Sequence, residues 1–205
     1  MSGGRPEARA LRSGEKRNPA GKERNGMKYL RRFIWYVATR LLVITLIAGL
    51  MVMVFYYAMN LANIQVVLKD GMARRAQVIM MDEDAAELSK YFQTAFLERD
   101  AALIASQQGQ SPYEDYTIRG IDHRLEMGFV WLWPWDETVR VDILERIPRI
   151  DGRIKGSKAE EAVAQRGESA IYPPSWQSGR YRAVLVKENG QWFIRSLNLL
   201  ETLSE

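Results

Sequence analysis

Leu41 to Met59, LLVITLIAGLMVMVFYYAM, is nineteen residues without a charged side chain. At about 1.5 Å of rise per residue, a helix of that length nearly crosses a hydrocarbon layer ~30 Å thick. Phe33, Trp35 and Tyr36 precede the run, and Tyr56 and Tyr57 close it. Those are the aromatic belts expected at two membrane–water interfaces. Arg40 stands at the edge, where a long cationic side chain can reach back toward headgroups. A core helix of a soluble protein would not be so long and so uniformly apolar. A cleaved signal peptide would have a shorter apolar region and a small-residue site of Ala-x-Ala type after it. The exit reads YYAMNLANIQVV, a poor match. The expectation is an uncleaved signal anchor with a single transmembrane helix over 33–60.

The charge distribution orients it. Residues 1–40 hold eleven Lys/Arg and three acids, and the rest of the chain is net acidic although the whole carries +4. Residues 1–32, rich in Gly, Arg, Lys and Glu, read as a disordered basic arm that cannot bury enough apolar surface to order itself. After the span come only Lys69, Arg74 and Arg75 within the flanking window. The excess predicts a cytoplasmic N-terminus in the plasma membrane, and an extracytoplasmic remainder. The arm then serves topology and can touch anionic lipid headgroups. Nucleic acid is the weaker reading of the same charges. The chain has no cysteine, which removes a disulfide framework, a thiolate nucleophile and a Cys-based zinc site.

Residues 61–81 read as a stalk, and 82–205 as the folded extracytoplasmic domain. Asp84 and Glu87 have capping-box spacing, with Asp in place of Ser or Thr. Leu88, Tyr91, Phe92, Ala95 and Phe96 recur on one helical face. Asp100 caps a second short helix through about Ser106, and QQGQSPYED is a loop by composition. From Tyr116 the period becomes two. Ile121, His123, Leu125, Met127, Phe129, Trp131 and Trp133 share one face of a long half-buried strand. PWDE turns the chain. Val139, Val141, Ile143 and Ile147 line one face of the return, opposite Arg140, Asp142 and Arg146. Residues 151–178 form a polar connection with a helical turn near Glu160 to Gln165. Asn189-Gly190 supplies the positive φ angles of a tight hairpin.

Helices followed by antiparallel strands predict an α+β fold, with two to three helices packed on a curved antiparallel sheet in a cone-shaped domain. Tyr91-Phe92 on the first helix, the long paired strands and the closing YRAVLVKENGQWFIRSL resemble the nuclear transport factor 2-like superfamily over about residues 82–203. That superfamily includes enzymes, ligand binders and assembly modules, so the resemblance alone does not choose a function. The layout is also similar to membrane-anchored assembly proteins of bacterial conjugation and type IV secretion machinery.

Two sets of side chains are candidates for function. His123, the only histidine, lies on an apolar strand face. If strand partners sum to roughly 270, Leu125 faces Glu145 and His123 lies diagonal to that carboxylate, within side-chain reach. Such a pair, with Tyr91 and Trp192, could line a ligand pocket or supply a base with its orienting carboxylate; it could equally be a satisfied core pair. No Ser or Cys nucleophile signature, metal-ligand spacing or Gly-rich phosphate loop accompanies it, so neither enzyme activity nor a cofactor or metal is expected. The second set is the turn VWLWPW. Trp131 and Trp133 continue the inward alternation; Val130 and Leu132 point the other way; Trp135 lies in the turn. An apolar tip of two faces suits docking, as Trp is enriched at interface hot spots. Core packing, a membrane leaflet and the mouth of a ligand pocket are the other readings of the tryptophans. Trp176 in YPPSWQSG could cover the same tip.

The sequence therefore predicts a single-pass, membrane-anchored assembly module that presents its domain to a protein partner or to another copy in a cell-envelope complex of conjugation, secretion or sporulation type. A cone that binds or transforms a small apolar ligand is the alternative.

Overall fold

The computed structural model describes residues 20–203, with side chains described from Met27 onward. The arm up to residue 19 lies outside the described residues. The chain is α+β: a long apolar N-terminal helix followed by an antiparallel sheet region. It divides into two compact units, residues 1–52 and 53–205.

In the first unit everything described belongs to helix α1, Ala20–Met81. Ala20 to Arg32 are thus helical where composition predicted disorder. From Met27 to Val52 the side chains are exposed. This helix is the one described element long and apolar enough to cross a membrane. Arg31, Arg32 and Arg40 line one shallow groove with Trp35 and Tyr36. The Arg40 guanidinium stands 5.4 Å from the Tyr36 ring centre, a cation–π arrangement.

The second unit begins inside the charge-free run. Its helical segment, 53–81, is a core helix and not a stalk. Ile64, Leu68, Met72 and Ala76 are wholly buried, and Ile79 nearly so. Positions four apart fall on one face of a helix, so this stripe enters the hydrophobic core as a continuous row. Arg74 and Arg75 are likewise part of the fold, since Arg74 pairs with Glu83 and Glu87, and Arg75 with Asp100.

The predicted helix from Asp84 to Phe96 is broken. Asp84 does cap it, accepting from the Ala86 N–H, but the capped element is only a 3₁₀ turn over Ala85–Lys90, and a separate α2 covers Thr94–Leu97. The break has a cause. The Tyr91 carbonyl accepts from the Ile194 N–H at 2.7 Å, and the Gln93 N–H donates to the Ile194 carbonyl at 3.0 Å. Backbone groups spent on a strand cannot continue a helix. Helix α3, Ala101–Gln107, is capped by Asp100 as predicted, with bonds from Ala102 N and Leu103 N.

The strands are β1 Tyr116–Ile121, β2 Arg124–Met127, β3 Thr138–Arg146, β4 Ile150–Ile154, β5 Gly179–Glu188 and β6 Gln191–Thr202, with α4, Gly156–Arg166, between β4 and β5. β1 pairs with β4 in a two-stranded sheet; β2-β3-β5-β6 form a four-stranded antiparallel sheet. The single long strand predicted from Tyr116 to Trp133 is therefore two strands in two sheets. The polar connection likewise contains β4 and a helix longer than one turn. Two predictions hold closely. Leu125 faces Glu145, and Asn189 (φ 50°) with Gly190 (φ 85°) makes the β5–β6 turn.

Beyond Met127 the inward alternation slips by one. Gly128 donates to the Asp142 carbonyl at 2.8 Å, and a Cβ there would lie 3.0 Å from that oxygen. After this close approach Val130 and Leu132 are buried, while Phe129, Trp131 and Trp133 are exposed. A one-residue slip exchanges the two faces of an extended chain.

Candidate functional site

The segment 128–137 joins β2 to β3 and carries the tryptophan tip. Val130 and Leu132 are each 3% exposed; they are core residues and cannot contact a partner, contrary to the two-faced tip. From 129 to 135 the exposed side chains are aromatic: Phe129 at 85%, Trp131 at 61%, Trp133 at 42% and Trp135 at 69% exposure. The rings order one another. Trp133 stacks on Trp135 at 5.3 Å and 9°, and meets Trp131 edge-on at 5.6 Å; these are preferred aromatic geometries.

The backbone beneath is pinned along its length. Gly128 is tied to Asp142, and the Glu137 carbonyl accepts from the Lys187 N–H at 2.8 Å. The Trp133 N–H donates to the Asp136 carboxylate at 2.8 Å, and the Asp136 N–H returns to the Trp133 carbonyl at 3.1 Å. The Tyr57 hydroxyl donates to the Val130 carbonyl at 2.8 Å, and the Tyr57 ring lies 6.2 Å from that of Trp131. Trp176 is elsewhere. It stacks on Tyr113 at 6.3 Å and lines a cleft with Arg75, Pro112 and Tyr181.

The predicted ligand-pocket quartet is not one site. His123 and Glu145 do meet, with Nε2 to Oε1 at 3.1 Å and side chains 7% and 0% exposed. Glu145 faces Gly179 on β5, whereas Trp192 faces Lys187, eight residues along. At about 3.3 Å per residue that is roughly 26 Å. Trp192 is buried and donates through Nε1 to Asn60 Oδ1 at 3.2 Å. Tyr91 packs against Gly71 of α1. Neither His123 nor Glu145 lines the clefts beside them. Among the described residues the Glu145 Oε2 atom has no hydrogen-bond partner.

The larger cleft, about 710 Å³, lies between α2, α3 and β6. Sequence reasoning did not find it, because its residues come from five separate stretches. Arg75, Phe96, Arg99, Tyr181, Arg195 and Leu197 are among its walls. Arg75 grips Asp100 through Nε at 2.6 Å and Nη2 at 3.0 Å. Burial opposes the Arg75 charge, and the Asp100 bonds overcome that, leaving the guanidinium above its ordinary pKa. Burial, with the Glu145 charge next, raises the Tyr181 phenol. Arg99 and Arg195 are exposed at the rim. β6 is an edge strand of its sheet.

Among the described residues no group of three or more His, Cys, Asp or Glu could hold a metal ion. No family model matches the chain, and no curated protein or solved structure matches it.

Proposed function

We propose that the chain is a single-pass, membrane-anchored interaction module without catalytic activity of its own, with a cytoplasmic N-terminus and an extracytoplasmic domain of the cone type found in the nuclear transport factor 2-like superfamily. A protein partner, or a second copy, in a cell-envelope complex of conjugation, secretion or sporulation type completes the proposal. One observation carries it: Met53 to Met59, the end of the charge-free run, already belong to the folded unit. Within the same unit the turns that follow supply the core residues Ile64, Leu68 and Met72. Such a chain fixes a folded surface at the bilayer, which is what a tether does.

The surface it offers to protein is the outer edge of β6 with the adjoining cleft. At the bridge from Tyr91 and Gln93 to Ile194, this edge already takes a short stretch of chain by main-chain bonds. Beyond Ile194 the edge runs on through Arg195 to Thr202, with Leu199 51% and Leu200 45% exposed. An open edge invites strand addition. The His123–Glu145 pair supports structure and not turnover, since it is enclosed and lines neither cleft.

Photo-cross-linking from position 199 in native membranes tests the reading. A discrete protein adduct, to another chain or to a second copy, is the expected result. A folded, membrane-inserted chain that yields no protein adduct at 199 would overturn it.

A further inference from the structure

We propose that Phe129, Trp131, Trp133 and Trp135 form an interfacial anchor, seated in the headgroup region of the leaflet from which the domain emerges. The inference rests on the membrane-anchor reading and adds a second point of attachment to it.

Level is the first argument. Tyr57 is the third residue from the end of the charge-free run and stands where an interfacial belt is expected. Its hydroxyl holds the Val130 carbonyl and its ring stands 6.2 Å from Trp131. Whatever depth Tyr57 takes, the base of the aromatic tip takes too.

Composition is the second. Gly128 to Trp135, GFVWLWPW, contains no charged side chain. Its exposed side chains are one Phe and three Trp. Trp has a large apolar body with one N–H, which suits a zone that is apolar on one side and wet on the other. A protein-docking tip needs polar groups around its aromatic centre for register. The nearest one here, Asp136, is spent on the Trp133 N–H. Lys187 supplies a cation at the same level. Its ammonium lies 5.4 Å from the Tyr56 ring centre and bonds Asn60 Oδ1 at 3.0 Å, so it stands where lipid phosphates would pass.

Pinning is the third. The segment is tied at Gly128, Val130, Trp133 and Glu137, so little ordering remains to oppose insertion. A membrane-facing aromatic face also explains why four large apolar rings stay exposed on a domain that had core space for Val130 and Leu132.

The chain has no native cysteine, so single cysteines can be spin-labelled without background. Nitroxides at Phe129→Cys and Trp135→Cys, in the full chain reconstituted in phosphatidylcholine and phosphatidylglycerol vesicles, are read by power saturation with oxygen and with a water-soluble nickel complex. Leu50→Cys marks the span and Ser157→Cys the aqueous surface. The expected result is oxygen accessibility at 129 and 135 several-fold above that at 157, with nickel accessibility correspondingly lower. Aqueous behaviour at 129 and 135 with Leu50 in the hydrocarbon overturns the inference and leaves the anchor standing. Protection from both reagents, with Leu50 again in the hydrocarbon, overturns it in favour of a protein cover. An aqueous Leu50 overturns the anchor reading itself.

Discussion

Trp192 Nε1 and Lys187 Nζ both donate to the Asn60 side-chain oxygen, at 3.2 and 3.0 Å. Asn60 reads in sequence as the polar last residue of the predicted membrane span, yet it is 6% exposed inside the folded unit. Its own amide closes onto the Tyr56 carbonyl at 2.9 Å. Replacing it by Leu leaves a buried indole N–H without a partner, an arrangement that costs about 1–3 kcal/mol. Asn60→Leu is expected to lower the unfolding midpoint of the domain, and Asn60→Leu combined with Trp192→Phe to recover part of the loss. Unfolding followed by circular dichroism checks this; a single variant as stable as the parent would refute it.

His123 and Glu145 should behave as a buried structural pair. Removing one partner leaves a buried polar group without its hydrogen bond, at about 1–3 kcal/mol, while replacing both by apolar groups of similar shape is often close to neutral. His123→Ala is therefore expected to destabilise the fold far more than the double variant His123→Leu/Glu145→Met. Chemical denaturation of the parent and both variants decides it. If the double variant is as unstable as the single, the pair has a role that apolar packing does not replace.

The register that brings these two together was legible because it needed only strand alternation and a turn position. The cap at Asp100 and the turn at Asn189-Gly190 were legible too, since both depend on side chains acting within a few residues. The remaining features depend on contacts distant in sequence. The turn at Tyr91 departs from its apolar helical face because Ile194, a hundred residues on, takes its backbone groups. The tip exchanges faces at Gly128 because the Asp142 carbonyl lies against it. Residues 61–81 did carry a signal, Ile64, Leu68, Met72 and Ala76 at four-residue spacing. It was hidden by its position directly after a stronger apolar run. The candidate site divided in the same way: its tryptophans were visible, but which of them face outward was not.

Gly71 is a glycine in the interior of a helix, where Ala would ordinarily be more favourable by about 1 kcal/mol. Here a Cβ would lie 2.9 Å from Tyr91 Cβ and 3.2 Å from Ile194 Cδ1. Tyr91 is fixed by its backbone bond to β6, so α1 itself would have to retreat. Overpacking of this kind costs typically about 1–3 kcal/mol, enough to reverse the sign. Gly71→Ala is expected to lower thermal stability. Gly156→Ala, in α4 with open space around the added carbon, is expected to leave it unchanged or raised. Equal behaviour of the two would refute the close approach of α1 to the Tyr91 turn.

Stability should fall at alkaline pH through buried phenols. Burial pushes the Tyr113 hydroxyl up to about 12, against about 10 in an unfolded chain. The folded state thus holds its proton where the unfolded state has released it. By linkage, the stabilisation is whole below pH of about 10 and is lost as pH rises toward about 12. Tyr181, raised chiefly by burial, acts in the same direction. The Tyr113 hydroxyl donates to the Ser175 carbonyl at 3.4 Å, so Tyr113→Phe removes the titration at the loss of this long hydrogen bond. The variant is expected to be slightly less stable at neutral pH, and to lose less stability between pH 10 and 12 than the parent. Denaturation across that range, with the ultraviolet absorbance of phenolate followed alongside, checks it. An unchanged alkaline slope would show that the Tyr113 phenol ionises as freely in the fold as in water.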